Sequence, residues 1–117
     1  MDLNNCIAKH AEWKTKFRRA ITDHSTMDAD TIAKDNCCEL GTWLHGDAKA
    51  KFSSKPAYSE CISKHAAFHT EAAKVARAIN NKRYDEAEKM LDGGTSYTAS
   101  SSAVGLAIMH LKKETGL

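Results

Sequence analysis

Apolar residues recur every three or four positions through most of this 117-residue chain, and this period constrains the fold more than any other feature. Such spacing places the apolar side chains on one face of an α-helix. No strand-type alternation of apolar and polar residues competes with it. The chain is therefore expected to be all-α. The first stripe predicts a helix over residues 3–23 and consists of Leu3, Ile7, His10, Trp13, Phe17, Ala20 and Ile21.

Turn and cap residues divide the rest of the chain into further helices. Asp30 is a plausible N-cap for the second helix, and Pro56 suits the first turn of the third because its missing N–H is not needed there. With short connections, these helices predict one domain over residues 1–117, an antiparallel four-helix bundle whose fourth helix is broken near Gly93-Gly94. The later segments are a helix over 31–45, a turn-like linker over 46–55, a helix over 56–81, a helical pattern over 84–91 and a last helix over 95–114.

Small residues interrupt two of the predicted helices. Gly41 stands inside the second helix, where glycine costs about 1 kcal/mol relative to alanine. A close approach by a neighbouring backbone, or a local kink, would explain it. Ser100-Ser101-Ser102-Ala103 lies in the last helix. This run is either a solvated face or a small-residue seam that allows close helix contact, within the monomer or across a dimer.

Charge and hydropathy exclude several function classes. The 17 basic and 15 acidic residues leave a net charge of +2, so nothing demands a nucleic-acid partner. Basic residues cluster at 14–19, which indicates a solvated helix face or a docking face for an acidic partner. No apolar run approaches the roughly 20 residues that span a bilayer, so no membrane segment is expected. The N-terminus lacks the features of a secretory signal, which predicts a cytoplasmic protein with reduced cysteines.

Two histidines stand four residues apart, at His65 and His69 in the third predicted helix. This spacing places both imidazoles on one helix face, one turn apart, where they can chelate a metal. Such a pair arises often by chance in a chain with six histidines, so it indicates a metal site only in combination with further ligands.

Two further metal-capable residues are predicted at the same height in the bundle. With a rise of about 1.5 Å per residue, His10 lies about 10 Å up the first helix, and Cys38 comes about 18 Å up the descending second helix. On the same scale His65 and His69 lie at about 13 and 20 Å. Three imidazoles and one thiolate suit tetrahedral zinc better than copper or iron. The sequence therefore predicts a zinc site formed by His10, Cys38, His65 and His69.

The remaining polar candidates have predicted roles around this site or at the surface. The outer N–H groups of metal-bound imidazoles need acceptors, and carboxylates are common ones. Cys6 and Cys61 are expected to be buried, and Cys37 is expected at the surface or in packing. The carboxylates available as acceptors are Glu12, Asp35, Glu39 and Glu71, and the histidines expected at the surface or at helix caps are His24, His45 and His110.

Three blocks of the sequence resemble the chemoreceptor zinc-binding (CZB) domains of bacteria. His10-Ala11-Glu12-Trp13 matches H-x-x-aromatic, Cys38-Glu39-Leu40-Gly41-Thr42-Trp43 matches C-x-apolar-G-x-aromatic, and His65-Ala66-Ala67-Phe68-His69 matches H-x-x-x-H. Their order and spacing also agree, and the resemblance covers essentially the whole chain. Carried over residue by residue, it implies the same four ligands and departs from the pattern at none of them.

The resemblance also implies a regulatory function rather than an enzymatic one. Members of this family are attached to soluble chemoreceptors or diguanylate cyclases and often dimerise. They sense zinc, or oxidants such as hypochlorous acid through the zinc-bound cysteine. We therefore expect a homodimer and a chemoreceptor or diguanylate cyclase partner. Because the sequence contains no signalling hairpin and no cyclase segment, the chain is expected either to act on a separate partner or to be part of a larger protein.

Three other readings of the ligand pattern stay open at this point. A hemerythrin-like iron or oxygen carrier fits the length and the helix count, but it needs more histidines and bridging carboxylates. A zinc hydrolase would leave Cys38 outside the ligand shell, and no general-base pattern such as H-E-x-x-H is present. A zinc bundle with a purely structural role would more often use cysteine-rich ligands. If Cys38 is the reactive atom of an oxidant sensor, its oxidation would weaken zinc ligation, and Cys37 is a candidate to resolve the product.

Overall fold

The computed structural model describes residues 1–117 and consists of seven α-helices without strands, which confirms the all-α class. The boundaries of the first, third and last predicted helices are confirmed to within one residue, and the pattern over 84–91 is also a helix. None of the helices combines the length and the apolar character that a bilayer crossing requires. The helices are α1 (Leu3–Asp23), α2 (Ala29–Ile32), α3 (Glu39–His45), α4 (Asp47–Phe52), α5 (Pro56–Asn80), α6 (Tyr84–Met90) and α7 (Ser96–Thr115).

The three long helices α1, α5 and α7 form the body of the bundle. The end of α7 lies beside the start of α5, where the His110 ring contacts the Glu60 carboxylate at 3.0 Å. It also lies beside the start of α1, where the Lys112 ammonium donates to the Asn4 side chain at 3.0 Å. Hence α7 runs antiparallel to both partners, while α1 and α5 run in the same direction. The Asn80 side chain at the end of α5 accordingly bonds the backbone just beyond α1, at Met27.

Apolar stripes on these helices meet in one core. Phe17 of α1, Phe68 of α5 and Tyr97 of α7 are buried, and the Tyr97 ring lies 5.8 Å from each of the other two ring centroids. Buried aromatic rings at this separation pack favourably and exclude water from the layer. Together with the surrounding aliphatic side chains they hold the three long helices in fixed register.

The predicted second helix over residues 31–45 is wrong, because the segment is broken into α2, a non-helical stretch over residues 33–38, and α3. The carbonyl oxygen of Ile32 contacts Nδ1 of His69 on α5 at 2.8 Å, and this contact takes the place of a helical backbone hydrogen bond. The predicted N-cap Asp30 is also wrong. Asp28 caps α2, since its carboxylate accepts from the backbone N–H of Thr31 at 3.2 Å. Tertiary hydrogen bonds thus override the helical period here.

Two connections also differ from or refine the sequence prediction. The linker over residues 46–55 is not simply turn-like, because it contains the short helix α4 with Ala48 fully buried. The predicted break near Gly93-Gly94 is confirmed, with Gly94 at φ +82° and Thr95 capping α7. The helices α6 and α7 flank this break. Helix α6 contacts α1 through an ion pair of 2.7 Å between Arg18 and Glu88.

Candidate metal centre

Four metal-capable side chains meet at one level of the bundle. His10 comes from α1, His65 and His69 come from α5, and Cys38 immediately precedes α3. Their potential ligand atoms all lie within 4.8 Å of one another. The three imidazoles are buried and Cys38 is half-buried. The structure therefore brings together all four residues that the sequence predicted to share a layer.

Most distances inside this cluster lie near the edges of a tetrahedral zinc site, and all lie within 4.8 Å. The Nε2 atom of His65 lies 3.2 Å from that of His10 and 3.0 Å from that of His69. Zinc–nitrogen and zinc–sulfur bonds of ordinary length imply edges of about 3.3 Å between nitrogens and about 3.6 Å between nitrogen and sulfur. The Cys38 Sγ atom lies 3.2, 3.6 and 4.0 Å from the Nε2 atoms of His65, His69 and His10 respectively.

Hydrogen bonds on the far side of two rings fix their tautomers. The Nδ1 atom of His10 lies 2.7 Å from the carbonyl oxygen of Cys6, and that of His69 lies 2.8 Å from the carbonyl oxygen of Ile32. A carbonyl can only accept, so each Nδ1 carries the proton. In the neutral ring, Nε2 is then a bare lone pair aimed at the centre of the cluster. One shared cation could bind both lone pairs and the neighbouring sulfur atom.

Burial keeps the three rings in the form that binds metal. Desolvation lowers the pKa of His10 and His69, and it lowers the pKa of His65 to about 3, with the neighbouring His69 and His10 adding to this effect. The rings are therefore neutral at pH 7, as metal ligation requires. The Nδ1 atom of His65 has no hydrogen-bond partner, so this ring gains its polar contacts on the Nε2 side.

The thiol of Cys38 needs a cation to ionise. Burial raises the pKa of this thiol above its ordinary value, and backbone N–H groups that include that of Gly41 offset part of the increase. At pH 7 the free thiol would thus be protonated. A metal ion that replaces this proton would hold the sulfur as thiolate, the form that ligates and reacts.

Cys38 owes its position to an N-cap and a tight turn. Its backbone is extended (φ −80°, ψ 165°), and its Sγ atom accepts from the N–H of Gly41 at 3.3 Å, so the sulfur caps α3. At Gly41 the backbone of the preceding stretch passes so close that a Cβ atom would overlap the carbonyl oxygen of Asp35 and lie 2.7 Å from its carbon. Of the two explanations that the sequence left open for Gly41, the close approach of a neighbouring backbone is confirmed.

The predicted carboxylate acceptors for the outer imidazole nitrogens are wrong. Backbone carbonyls of Cys6 and Ile32 take that role, because helix α1 and the end of α2 present them directly to the rings. Three of the four carboxylates instead pair with basic side chains elsewhere, and the fourth is exposed. The pairs are Asp35 with His45, Glu39 with Lys9 and Glu71 with Lys74, and the exposed residue is Glu12.

The other histidines and cysteines lie outside the cluster. His24, His45 and His110 are exposed, as predicted, and the ring of His24 stacks on that of Tyr84 at 4.1 Å. The thiols are free, with Cys6 and Cys61 buried and Cys37 exposed, also as predicted. Residues 15, 16, 18 and 19 are exposed, so most of the basic stretch of α1 lies at the surface.

One feature near the cluster escaped the sequence analysis. The pattern Cys-Ile-x-Lys-His occurs twice, at residues 6–10 and 61–65. It places Cys6 one helical turn before His10 on α1, and Cys61 one turn before His65 on α5. Since the two helices run in the same direction, a layer with two buried thiols lies next to the histidine layer. The repeated five-residue pattern was the signal that could have revealed this second layer.

A cavity of about 240 Å³ opens beside the sulfur of Cys38. Its rim carries the ion pair between Lys9 and Glu39 at 3.2 Å, whose side chains are both more than half exposed. The Lys16 ammonium also lies on the rim, 4.7 Å above the ring of Trp13. The cavity is lined by Cys6, Lys9, His10, Glu12, Trp13, Lys16, Cys38, Glu39 and Leu40. The Cys38 side of the cluster is thus the side that small solutes can reach.

Comparison with known protein families agrees with this geometry. A family model described as the chemoreceptor zinc-binding domain matches residues 10–76, more than half of the chain and a range that includes all four clustered residues. Searches of curated proteins and of solved structures gave no match. A donor set of three histidines and one cysteine is suited to zinc.

Proposed function

This chain belongs to the chemoreceptor zinc-binding domain family, and from that premise we propose that it is a regulatory domain that holds one zinc ion with His10, Cys38, His65 and His69. The observation that carries the proposal is the convergence of three Nε2 atoms and one Sγ atom within 4.8 Å of one another. The matched tautomers of His10 and His69 support it independently.

A closed ligand set favours a regulatory site over a catalytic one. Catalytic zinc sites keep one position for water or substrate, whereas four protein groups fill this tetrahedron. The hemerythrin-like alternative has less support, because the cluster contains a thiol and no carboxylate. The other three histidines, which could have completed a di-iron site, are exposed and do not belong to the cluster.

The single cysteine is the member of the set that can change state. The three imidazoles are anchored on long helices, whereas Cys38 ends a non-helical stretch and caps the short helix α3. Bound zinc would supply the positive charge that keeps this sulfur ionised. A two-electron oxidant of the hypochlorous acid class would convert the thiolate into a sulfenic acid, which is a weaker ligand. Residues 33–45 would then lose an anchor to α1 and α5.

This loss of an anchor is the signal that we propose the domain transmits. A chemotaxis receptor or a diguanylate cyclase, in the same or a separate chain, is the proposed output partner, and the cytoplasm is the proposed compartment. The chemistry of the site suits an oxidant signal best, since the cavity of about 240 Å³ gives solutes access to the sulfur. Changes in zinc supply would act on the same anchor.

Oxidation of Cys38 is expected to release zinc. Titration of the zinc-loaded protein with hypochlorous acid, in the presence of a colorimetric zinc chelator, should release about one zinc ion per chain as Cys38 is modified. The Cys37→Ser variant should behave in the same way, because Cys37 is exposed and outside the cluster. If mass spectrometry shows that Cys38 is modified while zinc stays bound, that result would contradict the oxidant-sensing proposal.

We also propose that the domain forms a homodimer through α7. Ala99, Ser102, Leu106 and Met109 are all exposed and follow one another at three- and four-residue steps. Leu106 and Met109 are 52% and 55% exposed, unusual values for large apolar side chains. Small residues at one end and large ones at the other would let two copies of α7 approach closely.

Placing a charge on this face is expected to dissociate the dimer. Light scattering after size exclusion should give the dimer mass for the wild type and the monomer mass for Leu106→Glu. The matched control is Ser63→Glu, which adds the same charge at an exposed position of α5. A wild type that is monomeric at all concentrations tested would contradict the dimer proposal and leave the zinc proposal intact.

A further inference from the structure

The cavity beside the metal cluster contains two thiols, not one. Cys6 and Cys38 both contribute to its lining, although they are 32 positions apart in the sequence. Cys6 lies about 6 Å along α1 from His10, on the same face. The Nε2 atom of His10 lies 4.0 Å from the Sγ atom of Cys38. The Cys6 thiol donates to the sulfur of Met1 at 3.7 Å in this state, so it must turn to meet Cys38. No other group that lines the cavity has comparable chemistry.

The two other cysteines are less well placed to meet Cys38. Cys37 is its sequence neighbour, but its thiol points to the side chain of Asn36 at 3.6 Å and lines a different surface depression, beside Trp43 and Gly46. A disulfide between adjacent cysteines would also be strained. Cys61 is fully buried and does not reach the cavity. Of the three, only Cys6 shares an accessible space with the sulfur of Cys38.

The backbone around Cys38 can supply the movement that a disulfide needs. Cys6 is held inside α1, while Cys38 is the last residue of the non-helical stretch 33–38. Zinc would hold Cys38 against the histidines, so loss of zinc ligation would free its side chain to turn into the cavity. The Cα atoms of a disulfide lie about 4.4–6.8 Å apart, so the disulfide requires this stretch to shift toward α1 until Cys6 and Cys38 reach that range.

We propose that Cys6 is the resolving thiol for Cys38, so that oxidation ends in a reversible disulfide between these two residues; this inference rests on the proposed oxidant-sensing function. A peroxide or hypochlorous acid is the oxidant. The Cys38 thiolate attacks it, forming an S–O bond with hydrogen peroxide as the O–O bond breaks and hydroxide leaves. The Cys6 sulfur then attacks the Cys38 sulfur. An S–S bond forms, the S–O bond breaks, and the oxygen leaves as water with the proton of the Cys6 thiol.

The order of these steps follows from the surroundings of the two sulfurs. Cys6 is only 2% exposed, whereas Cys38 is half-buried and borders the cavity. Cys6 is therefore not the sulfur that an oxidant reaches first. Cys38, which zinc would hold as a thiolate, reacts first. The disulfide forms once Cys38 has left the cluster, which protects its sulfur from irreversible oxidation to the sulfinic acid.

The test compares three zinc-loaded proteins after exposure to hydrogen peroxide. Wild type, Cys6→Ser and Cys61→Ser are digested without reducing agent, and the products are identified by mass spectrometry. We expect a Cys6–Cys38 linked peptide in the wild type and in Cys61→Ser. In Cys6→Ser we expect Cys38 as sulfinic acid. After treatment with dithiothreitol, about nine-tenths of the zinc capacity should return in the first two proteins and about one-tenth in the third.

The outcomes separate this inference from the proposed function. Sulfinic acid at Cys38 in the wild type, to the same extent as in Cys6→Ser, would overturn the role of Cys6 and leave zinc release by oxidation intact. Linkage of Cys38 to Cys37 of another molecule, or to Cys61, would overturn it as well. A wild type that binds no zinc would refute the proposed function itself, independently of which peptides are linked. Zinc binding by unoxidised Cys6→Ser, equal to the wild type, confirms that the variant is folded.

Discussion

Replacing Cys38 by alanine is expected to weaken zinc binding by about a hundredfold or more. Structural zinc sites with four protein ligands bind with about 10–16 kcal/mol at pH 7, so one ligand contributes about 3 kcal/mol. Competition with a chelator of known affinity measures the change. The matched control is Cys37→Ala, which removes the adjacent thiol at an exposed position and should leave the affinity unchanged.

A serine at position 38 separates the two roles of the cysteine. Serine is a good N-cap but a poor zinc ligand, so Cys38→Ser should lose zinc affinity to a similar degree while it keeps the cap of α3. The metal-free alanine variant should be less stable than the metal-free serine variant by about 1 kcal/mol. Zinc affinity within a factor of about three of the wild type in both variants would show that Cys38 is not a ligand.

Replacing Gly41 by alanine is expected to destabilise the protein by about 3 kcal/mol, at the upper end of the cost of overpacking. The added Cβ atom would overlap the carbonyl oxygen of Asp35 and lie 2.7 Å from the carbonyl carbon, and these backbone atoms cannot rotate away. The stretch before Cys38 must shift instead, and this shift should also weaken zinc binding. Denaturant unfolding of the metal-free and zinc-loaded forms measures both effects.

Gly105 provides the matched control, because it also lies inside a helix but has open space where a Cβ atom would stand. Gly105→Ala should therefore increase the free energy of unfolding by about 0.5–1 kcal/mol, the usual helix-propensity difference. If Gly41→Ala were as stable as the wild type and bound zinc equally well, the tight turn would not be what positions Cys38.

The parts of the fold that could be predicted from the sequence are those set by local periodicity. The stripes of α1, α5 and α7 bury their own residues, so their boundaries follow from spacing and caps alone. The layer containing His10, His65 and His69 followed from the same geometry, since a helix rises by a fixed amount per residue. The break before Thr95 was visible as Asp92-Gly93-Gly94.

The segment between α1 and α5 could not be predicted, because contacts distant in sequence determine it. The carbonyl of Ile32 contacts the ring of His69, 37 residues away, and the ring contact replaces a helical hydrogen bond. Gly41 indicated either a close backbone approach or a local kink, and its position in the sequence could not identify the approaching backbone as that of Asp35. The hydrogen-bond acceptors of the outer imidazole nitrogens could not be predicted for the same reason. Backbone carbonyls lie directly beside the rings of His10 and His69 and take the place of carboxylates.

These departures from the simple bundle are what make the proposed site switchable. A continuous second helix would hold Cys38 as firmly as α5 holds His65. Instead Cys38 ends a non-helical stretch, its sulfur caps a helix of seven residues, and its side chain borders a cavity. The three histidines form a rigid half of the site, and the cysteine forms a movable half. The domain therefore has one ligand whose chemistry and position can change while the bundle of α1, α5 and α7 stays folded.

The metal content of the purified, untagged protein tests the central claim most directly. Plasma mass spectrometry of the wild type beside Cys38→Ala should find about one zinc per chain in the wild type and less firmly held zinc in the variant. Absence of zinc, together with no tight uptake when zinc is added, would contradict the account, and iron in its place would favour the hemerythrin-like alternative.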